Sequence, residues 1–168
     1  MVMEKKGVEW IETILYTLIS LAVIGTLLAV VQPKIAQLKD SIIIDQTKSS
    51  LNEIDRTIQN TKAAAGMTLF SELNLGKGTL LIDAPNDSIT WEYLSKYQYG
   101  ELNKTLNEGN LKITTTKVVA EYKITIKLSY DIDLTFNGID SGKTLQAASI
   151  PYKLWFKNKG GYIDITLG

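Results

Sequence analysis

The chain contains no histidine and no cysteine, so the chemistry open to it is that of carboxylates, lysines, hydroxyls and amides. Imidazole acid–base catalysis, thiolate nucleophiles, disulfides and the usual zinc ligand sets are excluded at once. The lack of cysteine leaves the compartment open, because a secreted domain can be held by its core alone. Gly138-Ile-Asp-Ser-Gly142-Lys143-Thr144 has the composition of a phosphate loop. It places three residues between its glycines where four are needed, and it lies between strand-like segments, so a hairpin turn accounts for it. Gly76-Lys77-Gly78-Thr79 lacks the upstream glycine and reads as a loop entering a strand. Asp131, Asp133, Asn137 and Asp140 carry the oxygen donors that calcium takes but not the EF-hand spacing, and ordinary strand and turn polarity explains them. Asn86-Asp87-Ser88 and Asn103-Lys104-Thr105 match the N-glycosylation acceptor pattern, which makes Asn86 and Asn103 candidate modification sites in an exposed region. Nothing here assembles a catalytic, cofactor-binding or metal-ligating set. The expectation is a protein that is not an enzyme.

Charge narrows the partners. Lys plus Arg number 18 and Asp plus Glu number 18 in 168 residues, and Arg56 is the sole arginine. A balanced charge without a basic patch argues against nucleic acid, which is usually read by guanidinium groups.

The elements that must position these residues fall into two textures. Thr13–Val31 reads TILYTLISLAVIGTLLAVV, 19 residues without a charge. As a helix it spans roughly 28 Å, about the hydrocarbon thickness of a bilayer. No polar face is present, so it reads as a membrane segment rather than a soluble surface helix. Beyond Pro33, which should kink the helix, Ile35, Leu38 and Ile42 form a stripe. Ile44, Thr47, Leu51, Ile54, Ile58 and Ala65 follow at helical spacing, with charged residues between them. The helix is expected to stop near Ala65–Gly66. From Thr79 the pattern becomes that of strands: Thr79–Asp83, Ser88–Leu94, Asn110–Val119, Glu121–Tyr130 and Tyr152–Lys157. Ile124, Ile126 and Leu128 alternate with Lys123, Thr125, Lys127 and Ser129, the period of a half-buried strand. Breaks fall at Ala84–Asp87, Glu108–Asn110, Asn137-Gly138, Ser141-Gly142 and Lys159–Gly161. The tyrosines and tryptophans of this half, Trp91 and Trp155 among them, are expected in core and half-buried sheet positions.

The N-terminus asks for a joint explanation of Lys5, Lys6, Gly7 and Glu12. Two lysines precede a glycine, and the fifth residue after that glycine is the last charge before the apolar run. This arrangement resembles the class III signal peptide of type IV pilins and pilin-like proteins. The resemblance implies cleavage between Gly7 and Val8 by a prepilin peptidase and retention of the apolar helix as the filament core. It places Glu12 at the family's characteristic glutamate, which pairs with the new amine of Val8, and it accounts for Pro33 as the helix bend. Val8 replaces the phenylalanine with which bacterial mature pilins usually begin, and no cysteine pair is present. A cysteine-free β-rich head is closer to archaeal pilins, although those often begin with glutamine. A plain signal-anchor would also place the lysines inside the cell. It gives Glu12 no role beyond the headgroup zone.

The organisation expected is therefore a leader at 1–7, a long kinked helix at 8–66 and a β-rich head at 67–168. Within the helix, 8–32 would be the membrane or filament core and 33–66 the amphipathic part. The fold class is α+β: a transmembrane and amphipathic helix followed by an antiparallel β-sandwich head. The function implied is that of a structural filament subunit serving adhesion or a related surface role, with a membrane-anchored monomeric binding domain as the alternative. The partners implied are further copies of the chain, the prepilin peptidase and pilus assembly machinery, and the membrane before assembly. The location would be the cell membrane and then an extracellular filament or the cell surface.

Overall fold

The computed structural model describes the backbone of residues 3–168 and the side chains of residues 9–168. A single helix, α1 (Met3–Lys62), is followed by ten strands. These are β1 (Thr68–Leu73), β2 (Thr79–Asp83), β3 (Ser88–Ser95), β4 (Thr105–Glu108), β5 (Leu111–Val118), β6 (Glu121–Ser129), β7 (Asp133–Phe136), β8 (Lys143–Gln146), β9 (Tyr152–Asn158) and β10 (Tyr162–Leu167). The expected class holds: one long N-terminal helix, then two sheets built almost wholly of antiparallel pairs. All five predicted strands are present, each within a residue of its expected ends. Strands β1, β4, β7, β8 and β10 are additional to them, as is a 3-10 turn at Ala84–Asn86.

One sheet has the order β1-β9-β10-β7 and the other β4-β5-β6-β3-β2-β8. Among the named strands the exception to antiparallel pairing is β7 with β10, which run parallel with Leu134 opposite Ile163. The link from β7 to β10 passes through β8 and β9, which lie in different sheets.

The long strands alternate over most of their length, and their inner residues enter one hydrophobic cluster. Leu80, Ile82, Ile89, Trp91, Ile113, Ile124, Ile126 and Leu128 come from the larger sheet, and Leu154, Phe156, Ile163 and Ile165 from the smaller. Ile44, Leu51, Ile54 and Ile58 of α1 complete it, each fully buried. At about 1.5–3 kcal/mol for each fully buried aliphatic or aromatic side chain, this cluster is the main stabilising term of the head.

The chain divides into two compact units, Met1–Leu38 and Lys39–Gly168. The division cuts α1, so the amphipathic part of the helix belongs to the head's own core. The expected stripe is buried only from Ile44 onward. Ile35, Leu38 and Ile42 stay exposed, and Ala65 lies outside the helix, which ends at Lys62. Pro33 sits inside α1, where it has no N–H to offer the carbonyl of Ala29.

Two local devices fix the loops. Gly78 has φ +77, and a Cβ there would collide with the Glu92 carbonyl oxygen and the Trp91 indole. Only glycine lets the β1–β2 connection cross so closely, and Trp91 Nε1 donates to the Lys77 carbonyl at 3.0 Å beside it. Asp87, also left-handed at φ 45, accepts the Leu134 N–H with Oδ1 at 2.8 Å and the Tyr130 N–H with its carbonyl at 2.9 Å. A turn expected only to break the chain thereby ties β3 to the start of β7.

Candidate functional site

The described part of the N-terminal unit, residues 3–38, is helix alone. Its most apolar stretch has a mean hydropathy of 2.5, with none of that window buried. Twelve aliphatic side chains from Ile11 to Val31 are 45–65% exposed, with Trp10 at 73%. At roughly 1.5 kcal/mol lost for each one left in water, the stretch would cost on the order of 20 kcal/mol. That exceeds the whole stability of an ordinary domain, about 5–15 kcal/mol. The segment therefore requires an apolar environment. It is long and apolar enough to cross a membrane.

Its few polar groups are arranged for such surroundings. The hydroxyls of Thr13, Thr17 and Thr26 donate to the carbonyls of Glu9, Thr13 and Ala22 at 2.8–2.9 Å. Satisfying a hydroxyl on its own helix removes the main penalty for placing it away from water. Glu12 lies on this helix, exposed, with no cation near it among the described side chains. The expected cleavage residues Lys5, Lys6, Gly7 and Val8 fall outside the described side chains.

In the head, three polar clusters anchor α1 to the sheets, and the sequence reading missed all of them. Asp40, 6% exposed, accepts from the Tyr93 hydroxyl at 2.5 Å and the Lys96 N–H at 2.7 Å. Ser95 Oγ lies 3.4 Å away and Lys77 Nζ 3.9 Å away. Burial first, and Asp40 second, push the Tyr93 phenol well above its ordinary range. Lys48 bridges the Tyr99 hydroxyl and Glu108, each at 2.9 Å, and these partners hold its amine above the ordinary lysine range. Lys48 in turn holds the Glu108 carboxyl below the usual carboxylate range. At the far end of α1, buried Asn158 donates through Nδ2 to the carbonyls of Thr61 and Lys62 at 3.0 and 3.3 Å. This caps carbonyls that the helix cannot satisfy itself.

The sequence-derived modification sites differ from each other. Asn103 is exposed in a turn at φ 56, and Thr105, also exposed, begins β4 with its hydroxyl against Thr114. Asn86 is exposed but held by Asp83 at 2.8 Å, and Ser88, the third residue of its acceptor triplet, is 1% exposed within β3. Asp131 pairs with Lys62 at 2.6 Å, and no acidic group of three that could hold a metal occurs among the described residues. Gly138 belongs to the turn after β7, where its N–H meets Asp164 Oδ1 at 2.6 Å, and Lys143 and Thr144 form β8. The aromatic expectation holds for Trp91 and for Tyr93, whose rings stack at 5.6 Å. It fails for Trp155, which is 41% exposed on the outer face beside Phe70, because its place in β9 alternates with the buried Leu154 and Phe156.

Comparison with protein-family models, with curated proteins and with solved structures gives no match.

Proposed function

We propose that this chain is a structural subunit of an extracellular filament of the type IV pilin kind, held in a membrane by its N-terminal helix before assembly. The observation that carries the reading is an apolar helix, exposed on every side from Ile11 to Val31, attached to a head whose core is already closed. The head has no use for that helix. A bundle of like helices can replace lipid at little cost, because packing rather than hydrophobic transfer drives association of apolar helices. Glu12 then finds its cation in the free amine that cleavage before Val8 creates. In a bundle an unpaired carboxylate is expensive, so the pair specifies axial position as well as affinity.

The test is made in the native host. The mature protein should begin at Val8 by mass spectrometry, and filaments should be visible by electron microscopy. Glu12→Gln keeps the shape and removes the charge, and should cut filament counts at equal membrane-bound precursor. An intact Met1 together with absence of filaments would favour the anchored monomeric domain instead.

A further inference from the structure

The β5–β6 hairpin turns on Val119 and Ala120, with Val118 opposite Glu121. Val119 has φ 53 and is 93% exposed. A β-branched residue in the left-handed region is strained, and glycine or asparagine is the ordinary choice at such a turn. Here the strained residue makes almost no contact with its own chain. Val118 at 42% and exposed Ala120 extend it into an apolar tip. Neither folding nor solubility accounts for Val-Val-Ala at this position, and strain kept at an exposed site points to a use.

Elsewhere on the head an open groove of about 980 Å³ runs between α1, the β1–β2 loop and the β8–β9 loop. Buried Leu75 and half-buried Ile43 contribute its apolar lining, and Ile42 and Ala147 are exposed at it. Asp45 is the one charged residue lining it; it is 57% exposed and stands 3.8 Å from Lys48, whose amine is held more closely by Glu108 and Tyr99. Next to the tip, Lys117 is exposed and makes no ion pair among the described residues.

We propose that the Val118-Val119-Ala120 tip of one copy seats in this groove of a second copy, with Lys117 meeting Asp45. This deepens the filament reading and rests on it. Tip and groove are different patches, so the contact is heterologous and propagates as an open chain unless the rotation happens to close a ring. The strain is offset when the apolar tip leaves water.

The absence of native cysteine makes disulfide trapping a clean test. Val119→Cys and Ala147→Cys are placed on separate full-length chains expressed together in the host membrane, then oxidised. A mixed dimer is expected, with neither variant cross-linking alone, and a doubly substituted chain should give a ladder of oligomers. No mixed dimer, or equal cross-linking by Val119→Cys alone, overturns the assignment. The second arm moves the reporter to Ala120→Cys with Ala147→Cys and adds Val119→Gly. Glycine relieves the left-handed backbone, so the melting temperature should rise while the ladder falls at least ten-fold. An undiminished ladder overturns the proposal, since a purely structural Val119 would move stability alone. Filament counts for the unaltered chain separate the two readings. Filaments without trapping refute the tip contact only, whereas absence of filaments refutes the filament reading itself.

Discussion

Replacing Asp40 by asparagine isolates the carboxylate that fastens α1 to β3. One of its oxygens takes the Tyr93 hydroxyl at 2.5 Å and the other the Lys96 N–H at 2.7 Å, so both must be acceptors. Asparagine offers one acceptor and one donor. With Oδ1 toward the Lys96 N–H, Nδ2 meets the Tyr93 oxygen and the phenol proton loses its acceptor; with the amide reversed, Nδ2 faces the Lys96 N–H. Either way one buried donor goes unpaired, at a cost of about 1–3 kcal/mol. The remaining hydrogen bond also loses its charge assistance, about 1 kcal/mol more. The total is about 2–4 kcal/mol. With a urea m-value of roughly 1.5 kcal/mol/M, the midpoint should fall by about 1.3–2.7 M. Lys77→Ala is the internal contrast. That amine is 3.9 Å away and half-exposed, so its loss should cost under about 1 kcal/mol. The assay is urea unfolding of the full-length chain in detergent micelles, followed by emission of the buried Trp91, which stacks on Tyr93. Asp40→Asn within about 0.3 M of wild type, or Lys77→Ala as damaging as Asp40→Asn, would refute the assignment of this cluster to hydrogen bonding.

Four further outcomes are expected. The phenols of Tyr93 and Tyr130 are both raised, chiefly by burial, so they favour the folded state while protonated. Stability should therefore hold below the ordinary phenol range and fall as pH rises through it, and Tyr93→Phe with Tyr130→Phe should flatten that alkaline loss in pH-dependent melts. Glu108 is lowered by Lys48, so its contribution is present above the ordinary carboxylate range and lost as pH falls, a loss that Glu108→Gln should remove. Asn158→Leu strips the cap from Thr61 and Lys62 and leaves two carbonyls without a partner, which should cost about 2–4 kcal/mol in the same urea assay. Where the host glycosylates Asn-X-Ser/Thr, peptide mapping should find glycan at Asn103 and not at Asn86, because Ser88 is closed off inside β3 once the head folds.

The apolar run and strands β3, β5, β6 and β9 are visible in the sequence because each shows its local pattern over seven residues or more, and the shorter β2 through its Thr, Leu and Ile enrichment and the break after it. Strands β4 and β8 escape because four residues, as in Lys143–Gln146, are too few to display an alternation. β10 is different: Ile163 and Ile165 alternate with Asp164 and Thr166, a signal that was present but masked by the Gly160-Gly161 break before it. The parallel pairing of β7 with β10 has no local signature, since register across sequence-distant strands is decided by the packed core. The anchoring polar residues of α1 look like ordinary charges between the apolar positions. Asp40 nonetheless stands four residues before Ile44, on the stripe of Thr47 and Leu51, and Asn158 continues the inward series Leu154, Phe156. A polar residue on an apolar stripe announces a buried hydrogen-bond partner, although not which one.

The gripping of α1 within the head has a mechanical consequence. Asp40 fastens it at one end, Asn158 holds Thr61 and Lys62 at the other, and Ile44, Leu51, Ile54 and Ile58 are keyed into the core between them. These attachments are spread over about 32 Å of helix. Tension applied along the helix axis loads all of them in parallel, so the head resists in shear and must give way at every point together. The same force applied across the axis would break them in series, one after another, at far lower load.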